Sequence, residues 1–286
     1  MTLQQLETML PQSVYVLGVR VDRISQQQAL DAMEQIIAHH RATVGVRFIA
    51  PPGTSDSDVP AVPVSLCQQI ITVNPEFVMA AQRNNAFREA INSAALVLAD
   101  GTGVVWATRY LGKPTPERVT GIDTLPLLAQ RCAKHGYRMF LLGAAPGIAE
   151  IAAARLRELA PGVEIAGTYA GSPAPEEEDA IIERVRAAQA DVLCVAYGAP
   201  AQDLWIYRNL SRLPVAIAIG VGGAFDFLAG RQKRAPRGMQ RMGLEWLYRL
   251  YREPSRWKRM LALPRFALQV VVKGRKKQKE QAHYDA

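Results

Sequence analysis

The sequence predicts a largely parallel, doubly wound α/β fold of Rossmann-like type, and three observations carry that prediction. Short apolar runs alternate along the chain with amphipathic segments of helical periodicity. The apolar runs are continuous rather than alternating, which is typical of parallel strands covered on both faces. Several of them end in glycine-rich turns that open helices, so the order of elements repeats as strand and then helix.

The elements follow in chain order, with strands bounded by turn residues and helices by capping residues. The predicted strands are 14–19, 70–73, 95–99, 138–142, 163–168, 192–197 and 215–219. Predicted helices cover 25–39 after a serine cap, 123–135 before Gly136, 148–159 before Pro161, and 175–188 with an acidic first turn. A proline-rich stretch near 50–64 has no helical periodicity and is interpreted as a flexible surface insertion.

Charge divides the chain into two predicted regions. The net charge is +8, but residues 231–286 hold 16 Lys/Arg and 4 Asp/Glu, whereas residues 1–230 hold 18 and 22. We therefore expect an α/β core over 1–230 and a basic, amphipathic C-terminal appendage over 231–286. A strongly basic segment favours an anionic partner, which is a phospholipid surface, a nucleic acid or a phosphorylated ligand.

Composition argues against several classes of protein. Cys67, Cys132 and Cys194 are far apart and form no CxxC pair, so we expect neither disulfides nor a zinc site. The same pattern fits a protein of the reducing cytoplasm. No apolar run reaches the roughly 18 residues of a membrane-spanning helix. The histidines, aspartates and glutamates show no metal-ligand spacing, and no Gly-x-Ser-x-Gly or Walker motif is present.

Polar residues follow two of the predicted strands. Thr72, Asn74 and Glu76 lie at the end of one strand, and Asp100 lies at the end of the next within Ala-Asp-Gly-Thr-Gly. Ligands of open α/β sheets bind beyond the carboxyl ends of the strands, so Asp100 is a candidate functional carboxylate. From position alone, a turn residue or helix cap is the more common role for an aspartate before glycine.

Three glycine-containing loops also begin where strands end. They are Gly143–Ala144–Ala145–Pro146–Gly147, Gly198–Ala199–Pro200–Ala201–Gln202–Asp203 and 220–226, which contains Gly222 and Gly223. Small residues at a helix start let a phosphate approach free backbone N–H groups, so together the loops would form a nucleotide cleft. Gln202 is either a ligand for a base or sugar or a polar first-turn residue.

The C-terminal appendage contributes a set of arginines. Arg249, Arg256 and Arg259 have a spacing that fits nearly one helix face. Guanidinium groups bind diphosphate in a bidentate manner, so the set is either a diphosphate clamp or a solvated basic face.

Taken together, the strings resemble the WecG/TagA/CpsF glycosyltransferases across about residues 68–262. The matching strings are ITVNPEF, ADGTGVVWA, ERVTGID, GAAPG, GAPAQD, GVGGAFDFLAG, RAP and GLEWLYRLYREPSRWKR. The departures are Ala144, where glycine is expected, and Asp203, where glutamate is commoner. The resemblance implies a Rossmann-like core with a mobile C-terminal appendage.

The resemblance also implies an activity and a set of site residues. It implies inverting, metal-independent and cofactor-free transfer of a sugar from a UDP-sugar to an undecaprenyl-diphosphate-linked saccharide. Asp100 would be the base, with Thr72 and Gln202 as catalytic companions. The implied substrate-binding residues are Asn74, Arg118, Gly143, Pro146, Gly147, Gly198, Gly222, Gly223, Arg249, Arg256 and Arg259.

Partners and alternatives complete the expectations. We expect the protein on the cytoplasmic face of the plasma membrane, bound peripherally to anionic lipid, and we expect no nucleic-acid partner. The donated sugar (N-acetylmannosamine, a hexose or a hexuronic acid), the acceptor and the oligomeric state, a homo-oligomer included, are left open. The alternatives are an NAD-type Rossmann oxidoreductase, disfavoured because no GxGxxG follows the first strand, and a nucleic-acid-binding protein using the basic appendage.

Overall fold

A computed structural model describes residues 12–47, 67–254 and 257–274. Its centre is a six-stranded sheet whose order is β4-β3-β8-β7-β5-β6, with every neighbouring pair parallel. The strands are β3 (Gln68–Val73), β4 (Leu96–Ala99), β5 (Arg138–Gly143), β6 (Glu164–Tyr169), β7 (Val192–Ala196) and β8 (Ile217–Gly220). The predicted α/β class and parallel sheet are therefore confirmed.

Helices connect these strands and cover both faces of the sheet. Through the core they are α1 (Gln26–Arg47), α2 (Pro75–Ala81), α3 (Asn85–Ser93), α4 (Thr102–Tyr110), α5 (Gly121–His135), α6 (Ile148–Leu159), α7 (Glu178–Ala187), α8 (Ala201–Asn209) and α9 (Ala224–Leu228). The C-terminal appendage adds α10 (Arg237–Arg241), α11 (Glu245–Arg252), α12 (Trp257–Met260), α13 (Ala262–Gln269) and a π-helical turn, Val270–Gly274.

Successive side chains of each strand enter cores on opposite faces. Ile70 packs with residues of α1, α5 and α6, whereas Ile71 packs with residues of α2, α3 and α4. Further along the sheet, Leu193 and Val195 pack with α7 and α8. Because both faces are covered, the strands are continuous apolar runs, which is the pattern that the sequence shows.

The first predicted strand, 14–19, is wrong as a single element. The chain forms two strands there, β1 (Ser13–Val16) and β2 (Val19–Asp22), which pair antiparallel in a separate two-stranded sheet. Leu17 and Gly18 connect them with φ angles of 56° and 83°. Positive φ at both central residues is the conformation of a tight hairpin turn, which reverses the chain before it reaches the main sheet.

The predicted helices are confirmed, with shifted boundaries. Residues 148–159 agree with α6, whereas α5 begins two residues before the prediction because Thr120 caps it and accepts a hydrogen bond from the Asp123 amide at 3.1 Å. The predicted helix 25–39 continues to Arg47. The predicted helix 175–188 opens with a 3-10 turn, Pro175–Glu177. The insertion near 50–64 lies outside the described residues.

The C-terminal appendage packs against the core near β3 and β4. Phe266 and Val270 are buried in the same apolar cluster as Val78 of α2 and Val104 of α4. Helix α13 thereby lies along α2. The division of the chain at residue 230 remains a prediction, but this contact places the appendage beside the carboxyl ends of two strands.

Candidate active site

An open cleft of about 770 Å³, its solvent-filled mouth included, lies at the carboxyl ends of β3 and β4. One wall comes from the loops after these strands and from the loop before α5, and the other comes from the C-terminal appendage. The lining residues are Asn74, Pro75, Glu76, Asp100, Gly101, Thr102, Gly103, Arg118, Thr120, Ile122, Arg234, Gly243, Glu245, Trp246, Met260 and Leu263. The structure thus brings Asp100, Asn74 and Arg118 together, three of the residues that the sequence singles out.

Asp100 is held at the cleft by backbone contacts of the sheet. Its amide donates to the Val73 carbonyl of β3 at 2.8 Å. The next residue, Gly101, has a φ of 97° and begins α4. At Gly103, an added Cβ would lie 2.7 Å from Cγ of Pro75, so glycine is needed for the close approach of α4 to α2. The glycines of the Ala-Asp-Gly-Thr-Gly string therefore set where the carboxylate sits.

Asn74 and Thr72 occupy different positions relative to this carboxylate. Asn74 lines the cleft and caps α2, because its side-chain oxygen accepts from the Phe77 amide at 3.1 Å. Its NH₂ group is the part of the side chain that could donate to a ligand. Thr72 is buried behind the cleft, where a Cβ added at Gly121 would lie 3.6 Å from its Oγ1. Thr72 therefore supports the start of α5 rather than lining the cleft.

Four charged side chains form a network across the cleft. Arg118 donates to Oε2 of Glu245 at 3.2 Å. Arg234 binds Asp123 through both terminal nitrogens, one of them at 2.7 Å, and its Nε lies 3.7 Å from Oε1 of Glu245. The network links the loop before α5, helix α5 itself and the first residue of α11.

The electrostatics of the network favour the charged forms. The hydrogen bond with Asp123 raises the pKa of Arg234, burial opposes the rise, and the charges of Asp123, Glu245 and Asp100 add to it. Burial works to raise the pKa of Asp123, but hydrogen bonds from Arg234 and Thr120 outweigh it, and the net pKa is lowered. Arg234 is thus a fixed cation within the electrostatic reach of Asp100.

Gln202 connects two of the glycine loops through hydrogen bonds of its buried side chain. Its side-chain oxygen accepts from the Gly198 amide at 3.1 Å and from the Gly222 amide at 3.0 Å, and the residue is only 2% exposed. It therefore fixes the ends of β7 and β8 relative to each other. In this geometry Gln202 positions backbone amides and lies apart from Asp100.

The three glycine loops lie along the same sheet edge as the cleft. At Gly143, an added Cβ would lie 2.8 Å from the Ala196 backbone, so this glycine permits the close contact of β5 with β7. Pro146 and Gly147 are exposed just before α6, and Gly147 has a φ of 83°. Gly223 is exposed just before α9. The exposed starts of these helices are the parts of the loops that an anion could approach.

Asp203 lies beneath the same edge and is fully buried. A Cβ added at Gly220 would lie 2.5 Å from its Oδ1, so β8 packs directly over the carboxyl group. Burial raises the pKa of Asp203 to about 7, although a hydrogen bond with Gln202 opposes the rise. This residue is one of the two departures from the family strings.

Of Arg249, Arg256 and Arg259, the structure describes the side chain of one. Arg259 of α12 donates to Oε2 of Glu76 at 2.8 Å, beside the cleft. Arg249 lies in α11, and Arg256 falls outside the described residues. Arg249 and Arg259 lie on two separate helices, because α11 ends at Arg252 just before Pro254.

Sequence reasoning assigned no role to three residues that line the cleft, Arg234, Glu245 and Trp246. It also missed Asp123, which pairs with Arg234. All four lie in the strings ERVTGID, RAP and GLEWLYR, which carried the family resemblance. Their ionic pairing joins positions more than 100 residues apart. The only signal in the sequence was their membership of shared strings.

The described part of the chain contains neither a candidate metal cluster nor a candidate membrane-spanning helix. Across residues 12–47, 67–254 and 257–274, no three His, Cys, Asp or Glu side chains form a group that could hold a metal ion. Within the same residues, no helix is both long and apolar enough to cross a bilayer. Cys67, Cys132 and Cys194 are buried free thiols.

The fold and the cleft define an α/β protein with an open cleft at the carboxyl ends of parallel strands, and sequence comparisons specify the class. Residues 61–281 match the Glycosyl transferase WecG/TagA/CpsF family. A Bacillus spizizenii protein named N-acetylglucosaminyldiphosphoundecaprenol N-acetyl-beta-D-mannosaminyltransferase is 36% identical over 202 residues, covering 71% of this chain and 78% of the relative. A Bacillus subtilis protein of the same name is 35% identical over 208 residues, covering 73% of this chain and 80% of the relative.

The chain therefore belongs to the WecG/TagA/CpsF family and is a glycosyltransferase. The resemblance drawn from the short strings is confirmed.

Proposed function

We propose that this protein transfers a sugar, with N-acetylmannosamine as the first candidate, from a UDP-sugar to a polyprenyl-diphosphate-linked saccharide with inversion at the anomeric carbon. The names of the two Bacillus relatives supply the candidate donor group and an N-acetylglucosaminyl diphosphoundecaprenol acceptor. The observation that carries the proposal is the cleft itself, which Asp100 lines together with Arg118 and Arg234.

Asp100 acts as the general base in this proposal. As the acceptor hydroxyl oxygen forms its bond to the anomeric carbon, its proton passes to the Asp100 carboxylate. The bond from that carbon to the donor diphosphate breaks, and UDP leaves with the electron pair. A single displacement from the opposite face inverts the configuration, and it needs one base rather than two carboxylates.

Arginines stabilise the leaving diphosphate. Arg118 and Arg234 line the cleft with Asp100, and Arg259 lies at its edge against Glu76. Each of these guanidinium groups is paired with a carboxylate, so binding of the diphosphate exchanges one anionic partner for another. The family resemblance implies that Arg249 and Arg256 of the C-terminal appendage also bind the substrate. Cations fixed where charge develops are the main source of such stabilisation.

The glycine loops take the nucleotide in this proposal. Gly143, Pro146, Gly147, Gly198, Gly222 and Gly223 shape backbone turns along the edge next to the cleft. Gln202 holds two of these turns together through its side-chain oxygen. Asn74 faces the sugar from the start of α2, and Thr72 supports the floor. The reaction needs no metal ion or cofactor.

The C-terminal appendage completes the site at a membrane surface. Its described part exposes large apolar side chains beside basic ones, including Leu247, Tyr251, Leu268, Val271 and Val272. Such a surface favours the headgroup region of an anionic bilayer, which is where a polyprenyl-linked acceptor resides. We therefore place the protein peripherally on the cytoplasmic face of the plasma membrane. Deletion of the chain after Gly230 removes one wall of the cleft and should abolish transfer.

The test is acceptor-dependent UDP release. A panel of UDP-sugars, with UDP-N-acetylmannosamine first, is incubated with a short-chain prenyl-diphosphate N-acetylglucosamine, with and without chelator. We expect release only when the acceptor is present, no effect of the chelator, and a product whose anomeric configuration by NMR is opposite to that of the donor. Retained configuration or loss of activity with chelator would contradict the mechanism.

A further inference from the structure

A second cavity adjoins the cleft and is almost entirely apolar. It lies between α4 and the helices of the C-terminal appendage. Its lining residues are Pro75, Thr102, Gly103, Trp106, Trp246, Leu250, Trp257, Met260, Leu261, Leu263, Pro264, Phe266 and Ala267. Of the four tryptophans in the chain, three are in this set. We call this cavity the tryptophan groove.

The tryptophan groove is continuous with the cleft of Asp100. Pro75, Thr102, Gly103, Trp246, Met260 and Leu263 line both cavities. A molecule that extends from the cleft past Trp246 would therefore enter the groove directly. Arg118, Arg234 and Glu245 line the cleft, whereas no charged residue of the described part of the chain lines the groove. The lining therefore changes from charged to apolar between the cleft and the groove.

The walls of the groove leave large apolar surfaces facing solvent. Trp106 is 40% exposed and Trp257 is 54% exposed. Trp106 stacks on Tyr110 of the same helix, α4, with ring centroids 5.6 Å apart, and this contact helps to fix the position of its indole. Contiguous apolar surface of this kind is costly in water and marks a binding site for an apolar group.

We propose that the tryptophan groove binds the isoprene units of the lipid acceptor that adjoin its diphosphate. This inference rests on the proposed function, since it assigns a binding site to the lipid half of the same substrate. The order of polarity matches the order of groups in a prenyl-diphosphate sugar. The sugar lies at Asp100, the diphosphate beside the arginines, and the branched hydrocarbon along Trp246, Trp106 and Trp257.

Binding of the hydrocarbon can be measured without sugar transfer. The full chain is titrated, free of membranes and below the critical micelle concentration, with prenyl phosphates of one, two and three isoprene units while tryptophan emission is recorded. We expect a saturable change whose Kd falls roughly tenfold with each added unit that the groove covers. Trp205 is buried in another cluster and provides a constant background.

Two groove variants and a control distinguish this site from general hydrophobic contact. Trp106→Gln and Leu261→Gln each place a polar group in the groove. The native side chains are 40% and 42% exposed, so we expect both variants to fold. The control is Ile151→Gln, which changes a 50% exposed side chain on α6. We expect both groove variants to lose the dependence of Kd on chain length and the control to keep it. Equal dependence in all three would overturn the inference.

Kinetics separate the failure of this inference from failure of the proposed function. With acceptors that differ only in the number of isoprene units, wild-type KM should fall with length and kcat should change little. Sugar transfer with a length-independent KM and no change in tryptophan emission would refute the groove and leave the glycosyl transfer intact. Length-dependent binding of prenyl phosphates without transfer from any donor would uphold the groove and refute the proposed function.

Discussion

The two walls of the cleft are built in different ways. Asp100 and Asn74 belong to loops that continue directly from neighbouring parallel strands and are fixed by backbone hydrogen bonds and a helix cap. Glu245 and Trp246 belong to the C-terminal appendage, which meets the core through the Arg118–Glu245 and Glu76–Arg259 pairs and the buried Phe266. We call the first the sheet-side wall, because its loops continue from strands of the sheet. We call the second the attached wall, because it belongs to the C-terminal appendage and only packs against the core.

The difference has an energetic consequence. Partly exposed ion pairs contribute about 0–1 kcal/mol each, whereas a sheet-end loop opens only with the surrounding strands. We therefore expect the attached wall to separate from the core more readily than the loops of the sheet-side wall open. In such a movement Asp100 and Arg118 would stay with the core, whereas Arg234 and Trp246 would move with the C-terminal appendage.

Among the variants that leave the base in place, the largest effect is expected at Arg234, which connects the two walls. Arg234→Ala removes a cation beside Asp100 and leaves Asp123 without its bidentate partner. We expect kcat/KM for transfer to fall by about 10²–10³, the usual cost of removing one group that stabilises developing charge. Arg212→Ala breaks an exposed pair with Asp179 far from the cleft and is the matched control. If Arg234→Ala were as active as this control, Arg234 would have no role in sugar transfer.

The next effect is on the stability of the fold, at the buried Asp203 beneath the same edge of the sheet. Burial raises the pKa of Asp203 to about 7, so the folded state holds its proton more tightly than the unfolded state. The stability that protonation contributes is complete in acid below the ordinary range of aspartate, and it is lost as pH rises through about 7. The free energy of unfolding of wild type should therefore fall relative to Asp203→Asn by about 2 kcal/mol or more from pH 5 to pH 8. Parallel pH curves for the two proteins would contradict the assignment.

A smaller effect is expected from loosening the attached wall alone. Glu245→Gln removes the carboxylate that Arg118 contacts at 3.2 Å. We expect amide exchange in α11 to accelerate about tenfold while exchange in β3 and β4 is unchanged, and kcat/KM to fall by a similar factor. Glu183→Gln, which removes an exposed pair on α7, should change neither. Equal acceleration in α11 and in the strands would show that the two walls open as one unit.

The smallest effect concerns the glycine loop after β5, at the same edge of the sheet as the cleft. Ala144 has a φ of 64°, in the left-handed region that favours glycine. Ala144→Gly should raise the free energy of unfolding by about 0.5–1 kcal/mol, because relief of strain exceeds the added entropy of the unfolded chain. Its neighbour Ala145 has no positive φ, so Ala145→Gly should bring no gain. Thermal denaturation of both variants checks the difference, and equal shifts would show that the conformation of Ala144 is unstrained.

The sheet-side wall follows the sequence closely because its determinants are local. Apolar runs fixed the strands to within a few residues, and Asp100 directly follows one of them. The left-handed Ala144 explains why the family strings favour glycine there. The hairpin at Leu17 was missed because leucine is a poor predictor of positive φ, and only the following Gly18 indicated a turn.

The attached wall was not predictable in the same way. Its position depends on ion pairs between residues far apart in the chain, such as Arg118 with Glu245, and periodicity carries no information about such partners. The spacing of Arg249, Arg256 and Arg259 fits nearly one helix face, but α11 ends at Arg252, before the residues of α12 begin. The role of Gln202 also depends on two loops that meet only in the fold.

The most direct test of the central assignment compares two aspartates that follow strands at the same edge of the sheet. Asp100→Asn keeps the shape of the cleft and removes the base, whereas Asp226→Asn changes a carboxyl group in α9 just after the β8 loop. Acceptor-dependent UDP release is measured for both, together with UDP binding. We predict that Asp100→Asn binds UDP normally and loses about 10²–10⁴ in kcat, whereas Asp226→Asn keeps nearly full activity. Full activity of Asp100→Asn would show that another group accepts the proton.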